Sequence, residues 1–292
     1  MKKPYFPAGI SLIALLSFMV ACTEIIDIDL DSTYTRLVVY GTITTDSIQH
    51  EVELTATTDY FYSEAPPPVE NATVIVSYGN SSVTLEASAE RPGIYFFPQP
   101  IRGVPGTQYD LLIEDVDVDQ DGIPETYNAS TTMPGIAPPD SISVQQFITP
   151  FFSGYQVAIW SPDPPEVNFY NFKLWRNDEL LNKRISDYTV QPDDLFQDNY
   201  IPGLPIGFLD DDEEDEAVFP GDTVTLEVNS ITKEYYDFIT EAQNEIFGNN
   251  PLFSGPPANV SSNIGNDAVG IFTAYSIERV SKIIPVPSFP QR

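Results

Sequence analysis

Proline occurs 27 times in this 292-residue chain, and its spread limits the fold more than any other feature. The proline ring removes a backbone donor and clashes with the preceding helical turn, so it kinks or ends a helix. Between the prolines lie short runs rich in Val, Ile, Thr, Tyr and Phe. Val52, Leu54 and Ala56 in "HEVELTA" alternate with polar residues, the two-residue period of a half-buried strand. Turn residues such as Tyr78-Gly79-Asn80-Ser81 separate the runs. The expectation is an all-β fold of many short strands, and 42% apolar residues suffice for a buried core.

The Pro-rich stretch "PGIAPPDS" (134–141) reads as a boundary. The fold class expected is two tandem β-sandwich-like units: an N-terminal β-sandwich over 36–135 and a C-terminal β-rich domain over 136–292. One helix is expected at 233–247. There Tyr235, Ile239, Ala242 and Ile246 recur at helical spacing, and Gly248 follows as a stop. Asp-Ser/Thr-apolar triplets at Asp46-Ser47-Ile48, Asp140-Ser141-Ile142 and Asp222-Thr223-Val224 read as strand starts after turns, although they also resemble an O-glycosylation sequon of exported proteins.

Residues 1–21 read as a signal peptide. Lys2 and Lys3 precede an apolar run from Ile10 to Val20, which is short for a membrane span. Met19-Val20-Ala21-Cys22 resembles the lipobox of bacterial lipoproteins. That resemblance implies cleavage before Cys22, lipidation of this single cysteine and a membrane anchor. Residues 22–35 then form a tether or first strand. Loss of Lys2 and Lys3 leaves 11 basic against 43 acidic residues, a net charge of −32. Such a surface repels nucleic acid and anionic lipid headgroups and favours cationic partners or divalent ions.

The stretch "DVDVDQDGIPETY" carries the most specific ion-binding pattern. Calcium takes six to eight hard oxygens, and alternate Asp residues before a glycine can aim carboxylates at one centre. Asp117, Asp119 and Asp121 hold that spacing before Gly122, with Glu125 as a fourth candidate ligand and Asp115 as a further oxygen donor. Asn128 stands where an EF-hand needs its closing Glu, and the flanks are strand-like. The alternative is a solvated acidic hairpin tip. The run Asp210 to Glu216 reads as a solvated loop or, alternatively, a lip for basic peptides. His50, the sole histidine, has no neighbouring nucleophile or ligand pattern, and no catalytic residue is expected. Among the aromatic residues, Phe152 and Trp175 are candidates for an exposed binding platform, against a core role for most such rings.

The segment "PPANVSSNIGNDAVGIFTAYSIERV" (256–280) resembles the ending of a family of Bacteroidota lipoproteins, domain of unknown function 4249. "CTEIIDIDLDSTYTRLVVYGTIT" and "GDTVTLEVNSITKEYYDFI" are similar to it as well. The resemblance implies an outer-membrane lipoprotein with fibronectin- or transthyretin-like sandwiches, often accompanying a TonB-dependent β-barrel transporter. It supplies no catalytic residues. The leading expectation is therefore a non-enzymatic accessory or binding subunit with an unknown ligand. A calcium-stiffened adhesin and a carbohydrate or peptide hydrolase stay open as alternatives.

Overall fold

The computed structural model describes residues 35–58, 65–150, 152–193, 199–213, 215–248 and 260–286. Cys22, the signal peptide and nearly all of the tether lie outside them. Residues 34–292 make one compact unit.

The chain is all-β, as its prolines and alternating runs require. The N-terminal half supplies β1 (Leu37–Thr44), β2 (Glu51–Ala56), β3 (Thr73–Tyr78), β4 (Ser81–Thr84), β5 (Glu86–Ala87), β6 (Ile94–Phe96), β7 (Gln108–Val116) and β8 (Glu125–Thr132). The C-terminal half supplies β9 (Ser141–Thr149), β10 (Phe152–Pro162), β11 (Phe169–Arg176), β12 (Glu179–Leu180), β13 (Thr189–Pro192), β14 (Tyr200–Asp210), β15 (Thr223–Ile231) and β16 (Val269–Ile283). Ser141 and Thr223, each following an Asp, open β9 and β15.

Among the described residues these strands form three sheets. A nine-stranded sheet runs β12-β11-β15-β16-β1-β2-β6-β5, with β13 also paired to β11. A four-stranded sheet, β4-β3-β7-β8, covers one end of it, and a three-stranded sheet, β14-β10-β9, covers the other. The first core joins Val74, Leu111, Ile113 and Ala129 to Leu37, Val39 and Leu54. The second joins Val144, Val157, Ile159 and Leu209 to Leu174, Leu226 and Val228. Each is a sandwich core of alternating inward residues. The two sandwiches share the large sheet, and β16 is the seam. Its Phe272 and Ala274 belong to the first core, while Val280 packs against the second. The first core thus takes Ile264, Ala268, Phe272 and Ala274 from beyond residue 136.

β16 pairs with β1 in parallel, from Val38↔Val269 to Thr44↔Tyr275, and with β15 antiparallel. Helix α1 (Lys233–Gly248) lies on the opposite face of the same sheet. Thr232 caps it, its Oγ1 accepting the Tyr235 N–H at 3.2 Å. Of the expected apolar stripe, Tyr235 and Ile239 are buried against Ile231, Ile271 and Tyr275. Ile246 is 52% exposed, because the last turn of the helix runs past the packed face.

Candidate functional sites: an Asp loop and a charged row on the sheet

The Asp loop begins with a fault in the β7–β8 hairpin. Pairing runs regularly to Ile113↔Tyr127, then shifts to Val116↔Glu125. Asp115 takes up the irregularity with a φ of 63°, and its Oδ2 accepts a hydrogen bond from Thr73 Oγ1 at 2.7 Å. Asp115 is thus tied to β3. The loop proper folds on its own carboxylates. Asp117 Oδ2 accepts from the Gly122 N–H at 3.0 Å, Asp119 Oδ1 from Asp121 N–H at 3.2 Å, and Asp121 Oδ1 from Ile123 N–H at 2.7 Å. Gly122 has a φ of 87°, a left-handed turn that glycine enters without steric cost. Carboxylate oxygens of Asp117, Asp119 and Asp121 lie within 4.8 Å of one another, and all three residues are exposed.

That spacing admits a cation bound at the ~2.3–2.6 Å of calcium–oxygen bonds. Three exposed carboxylates would hold it only with water completing the shell. Glu125 is not part of this cluster; its Oε2 accepts from the Tyr127 hydroxyl at 3.2 Å. Burial, followed by the Glu125 charge, raises the Tyr127 pKa.

Beside the loop lies a groove of about 210 Å³ that Asp119 and Glu125 share with Thr35, Arg36, Tyr127 and Asp267. Arg36 Nη1 lies 3.7 Å from Asp267 Oδ1. The turn carrying Asn266 and Asp267, both at positive φ, is bound to β8 through Gly265 N–H to Asn128 O at 2.7 Å. The loop therefore sits where the described body begins, at Thr35.

The other candidate residues fall elsewhere. Trp175 is half-buried on β11, and its indole N–H is enclosed with no partner among the described residues. Phe152 opens β10; its side chain lies outside the described residues. His50 is 2% exposed and packs edge-on against Phe97, with ring centroids 6.3 Å apart. Burial holds its pKa below the ordinary histidine value, so it stays neutral at physiological pH. The acidic run caps the end of β14: Asp212 N–H donates to Asp210 Oδ1 at 2.9 Å, and Ser153 Oγ to Asp211 Oδ2 at 3.2 Å.

A second constellation has no local signal in the sequence. Lys173 on β11, Glu227 on β15 and Arg279 on β16 stand in cross-strand register on the helix-bearing face. Glu227 is 3% exposed. Its Oε2 accepts from Arg279 Nε at 2.9 Å and lies 2.7 Å from Nη2. The outer edge of the same guanidinium clamps Asp46, with Nη1–Oδ1 at 2.9 Å and Nη2–Oδ2 at 2.6 Å. This fork-to-fork geometry is the strong form of a charged hydrogen bond. It holds the Asp46 carboxyl below the usual carboxylate range.

Lys173 Nζ sits 5.1 Å from the centre of the Tyr188 ring, and burial lowers its pKa. Desolvation pushes the Tyr188 hydroxyl up to about 12. In the adjacent row Asn171 faces Asn229, 2% and 0% exposed. Asn171 Oδ1 and both polar side-chain atoms of Asn229 lack hydrogen-bond partners among the described residues. The chemistry of this row is cohesion: Arg279 neutralises one buried and one surface carboxylate and ties the loop after β1 to β15.

These features define an all-β protein of two sandwiches on a common sheet, with a loop of clustered carboxylates at one end. A comparison with curated proteins returns no match. The chain belongs to the family named domain of unknown function (DUF4249), whose profile matches residues 23–281. Among the described residues no helix is long and apolar enough to cross a membrane.

Proposed function

We propose that this protein is a lipid-anchored, non-enzymatic accessory or binding subunit of the outer membrane that works with a TonB-dependent β-barrel transporter. The observation that carries the reading is the position of the family match. It begins at Thr23, directly after the lipobox-like cysteine, and runs through β16 almost to its end. The described residues begin at Thr35, a short way along the sequence from Cys22. A lipid on Cys22 would hold the body near membrane partners and raise their effective concentration. Purification in mild detergent is expected to recover a barrel transporter with the wild type. Cys22→Ser should release the protein from membranes and lose the transporter. A wild type that fractionates as a soluble protein would refute the anchor.

A second role rests on the converging oxygens of Asp117, Asp119 and Asp121. Calcium bound there would neutralise crowded carboxylates and stiffen the β7–β8 tip, with the weak affinity of extracellular calcium sites. Millimolar calcium is expected to raise the melting temperature by a few degrees, and Asp117→Asn with Asp119→Asn to remove that rise. An unchanged melting curve in calcium and in chelator would rule the site out.

A further inference from the structure

The outer edge of β11 is covered in two pieces, and a pocket opens between them. β12 pairs with Trp175 and Arg176, and β13 with Phe169 to Phe172. Asn177 and Asp178, both at positive φ, turn the chain from β11 into β12. Between the two pairings the chain grips β11 with a side chain in place of a strand. Leu181 N–H donates to Leu174 O at 2.8 Å, Asn182 Oδ1 accepts from Leu174 N–H at 2.9 Å, and Asn182 Nδ2 donates to Phe172 O at 3.0 Å. A short 3₁₀ turn, Ile185–Asp187, then leads into β13. Across the sandwich β14 is irregular as well, its register with β10 shifting between Val157 and Ala158, beside Gly207. A Cβ built at Gly207 would stand 2.8 Å from Leu174 Cδ1, so the glycine permits a close approach there.

The result is a pocket of about 200 Å³ with an apolar floor and an acidic mouth. Leu174 and Leu209 are buried and Leu181 is half-buried, whereas Asp187, Thr189 and Glu216 are exposed. Its size lies below the ~300–1,000 Å³ of sites for drug-sized ligands and suits one long side chain. Asp187 Oδ1 accepts from Ser186 Oγ at 2.7 Å and Oδ2 from the Arg184 N–H at 3.2 Å. Glu216 Oε2 accepts from the Asp210 N–H at 3.4 Å. Neither carboxylate has an ion pair among the described residues. Lys183 is held by Glu179 instead, at 2.9 Å. Apolar carbon below two uncompensated negative charges is the complement of a lysine side chain, which buries its methylene stem and keeps its ammonium at the surface. Both Asp187 oxygens and one Glu216 oxygen already accept bonds, so neither carboxylate offers the open pair of oxygens that a guanidinium fork engages. An ammonium takes single oxygens from separate groups. With a net charge of −30, a second copy of the chain would be repelled.

We propose that this pocket receives a lysine side chain of a partner protein. The four-carbon stem packs on Leu174, Leu181 and Leu209, and the ammonium donates to Asp187, Glu216 and the Thr189 hydroxyl. Asp210 to Glu213, in the same loop as Glu216, add a field that draws cations towards the mouth. The proposal rests on the accessory-subunit reading and names one contact that the partner makes.

The test uses the detergent-solubilised full-length lipoprotein and capped, fluorescently labelled glycine peptides with one variable central residue, read by polarisation. The lysine peptide should bind at least about tenfold more tightly than its norleucine, ε-acetyl-lysine or arginine counterparts, and its affinity should fall as salt rises. Asp187→Asn with Glu216→Gln should weaken it at least about tenfold. Thr189→Lys, at an exposed position, should weaken it as well by placing a like charge at the mouth. Glu86→Gln with Glu90→Gln, two exposed acids on the first half of the chain, should leave it unchanged. Unchanged melting temperatures would show that the variants fold. No binding of the lysine peptide, equal binding of any counterpart, or an equal loss in the Glu86 and Glu90 variant would overturn the proposal. So would capture of spermidine without the lysine peptide, or an effect of the pocket variants on self-association alone. Co-purification of a transporter unaffected by the pocket variants would overturn the pocket and leave the accessory role standing. Lysine-peptide binding that the pocket variants abolish, with no transporter recovered by the wild type, would do the reverse.

Discussion

Gly270→Ala is expected to destabilise the protein by about 4 kcal/mol or more, a loss seen only where backbone or core geometry is violated. Gly270 has a φ of 111°, a conformation that side chains rarely enter. A Cβ built there would stand 2.0 Å from the Val39 carbonyl oxygen and 2.9 Å from its carbonyl carbon. The obstacle is backbone on the neighbouring strand, so no rotamer change relieves it. β1 and β16 would have to separate at Val39↔Gly270, near the start of the parallel pairing on which the large sheet depends. Gly79→Ala is the control. Gly79 also has positive φ, at 55°, but nothing lies within 4 Å of the added carbon. That variant should lose only about 1 kcal/mol, the backbone strain alone. Denaturant unfolding of both proteins separates the two effects. Equal losses would mean that the close approach of β1 to β16 contributes nothing.

Arg279→Ala is expected to cost about 3 kcal/mol, because it leaves the Glu227 carboxylate buried without its cation. Glu227→Gln should cost less, about 1 kcal/mol. It removes the buried charge while Arg279 keeps its fork on Asp46. Restoring neutrality in the double variant, Arg279→Ala with Glu227→Gln, should recover part of the single Arg279→Ala loss. A double-variant loss equal to the sum of the two would show that the residues act independently.

The same site predicts an acid limb. The Asp46 pKa is lowered in the folded protein, chiefly by the hydrogen bonds from Arg279. A carboxylate with a depressed folded pKa contributes its full stability above its unfolded value. That contribution drains as pH falls below about 4 and through the folded value. Stability measured from pH 7 downwards should therefore fall on that side, and the fall should be shallower in Arg279→Ala. An identical slope in both proteins would separate Asp46 from the acid limb.

Local pattern carried much of the architecture. Val52, Leu54 and Ala56 alternate in the sequence and are buried on one face of β2. The spacing of Tyr235 and Ile239 marked the helix, which runs one residue past the expected end. The spacing of Asp117, Asp119 and Asp121 was equally readable, since those residues meet within a single turn through bonds to their own backbone. Trp175 shows where local reading stops. An aromatic residue on a strand has two faces available, and the packing of other strands decides how much of it reaches water.

The sequence by itself determined an all-β chain, because proline and two-residue alternation act within a few bonds. It also determined the strong excess of acidic residues, the single cysteine directly after an apolar run and the carboxylate spacing of one loop. Only the tertiary structure decided that the chain's last long strand lies between its first and its second last, giving both sandwiches one sheet. It alone brought Asp46, Lys173, Glu227 and Arg279 into one row, and it alone set Leu174, Leu209, Asp187 and Glu216 around one pocket. Strand pairing is set by which apolar faces can be buried together, and Asp46 and Arg279 meet here across 233 positions of sequence. No local alternation of residues records that choice.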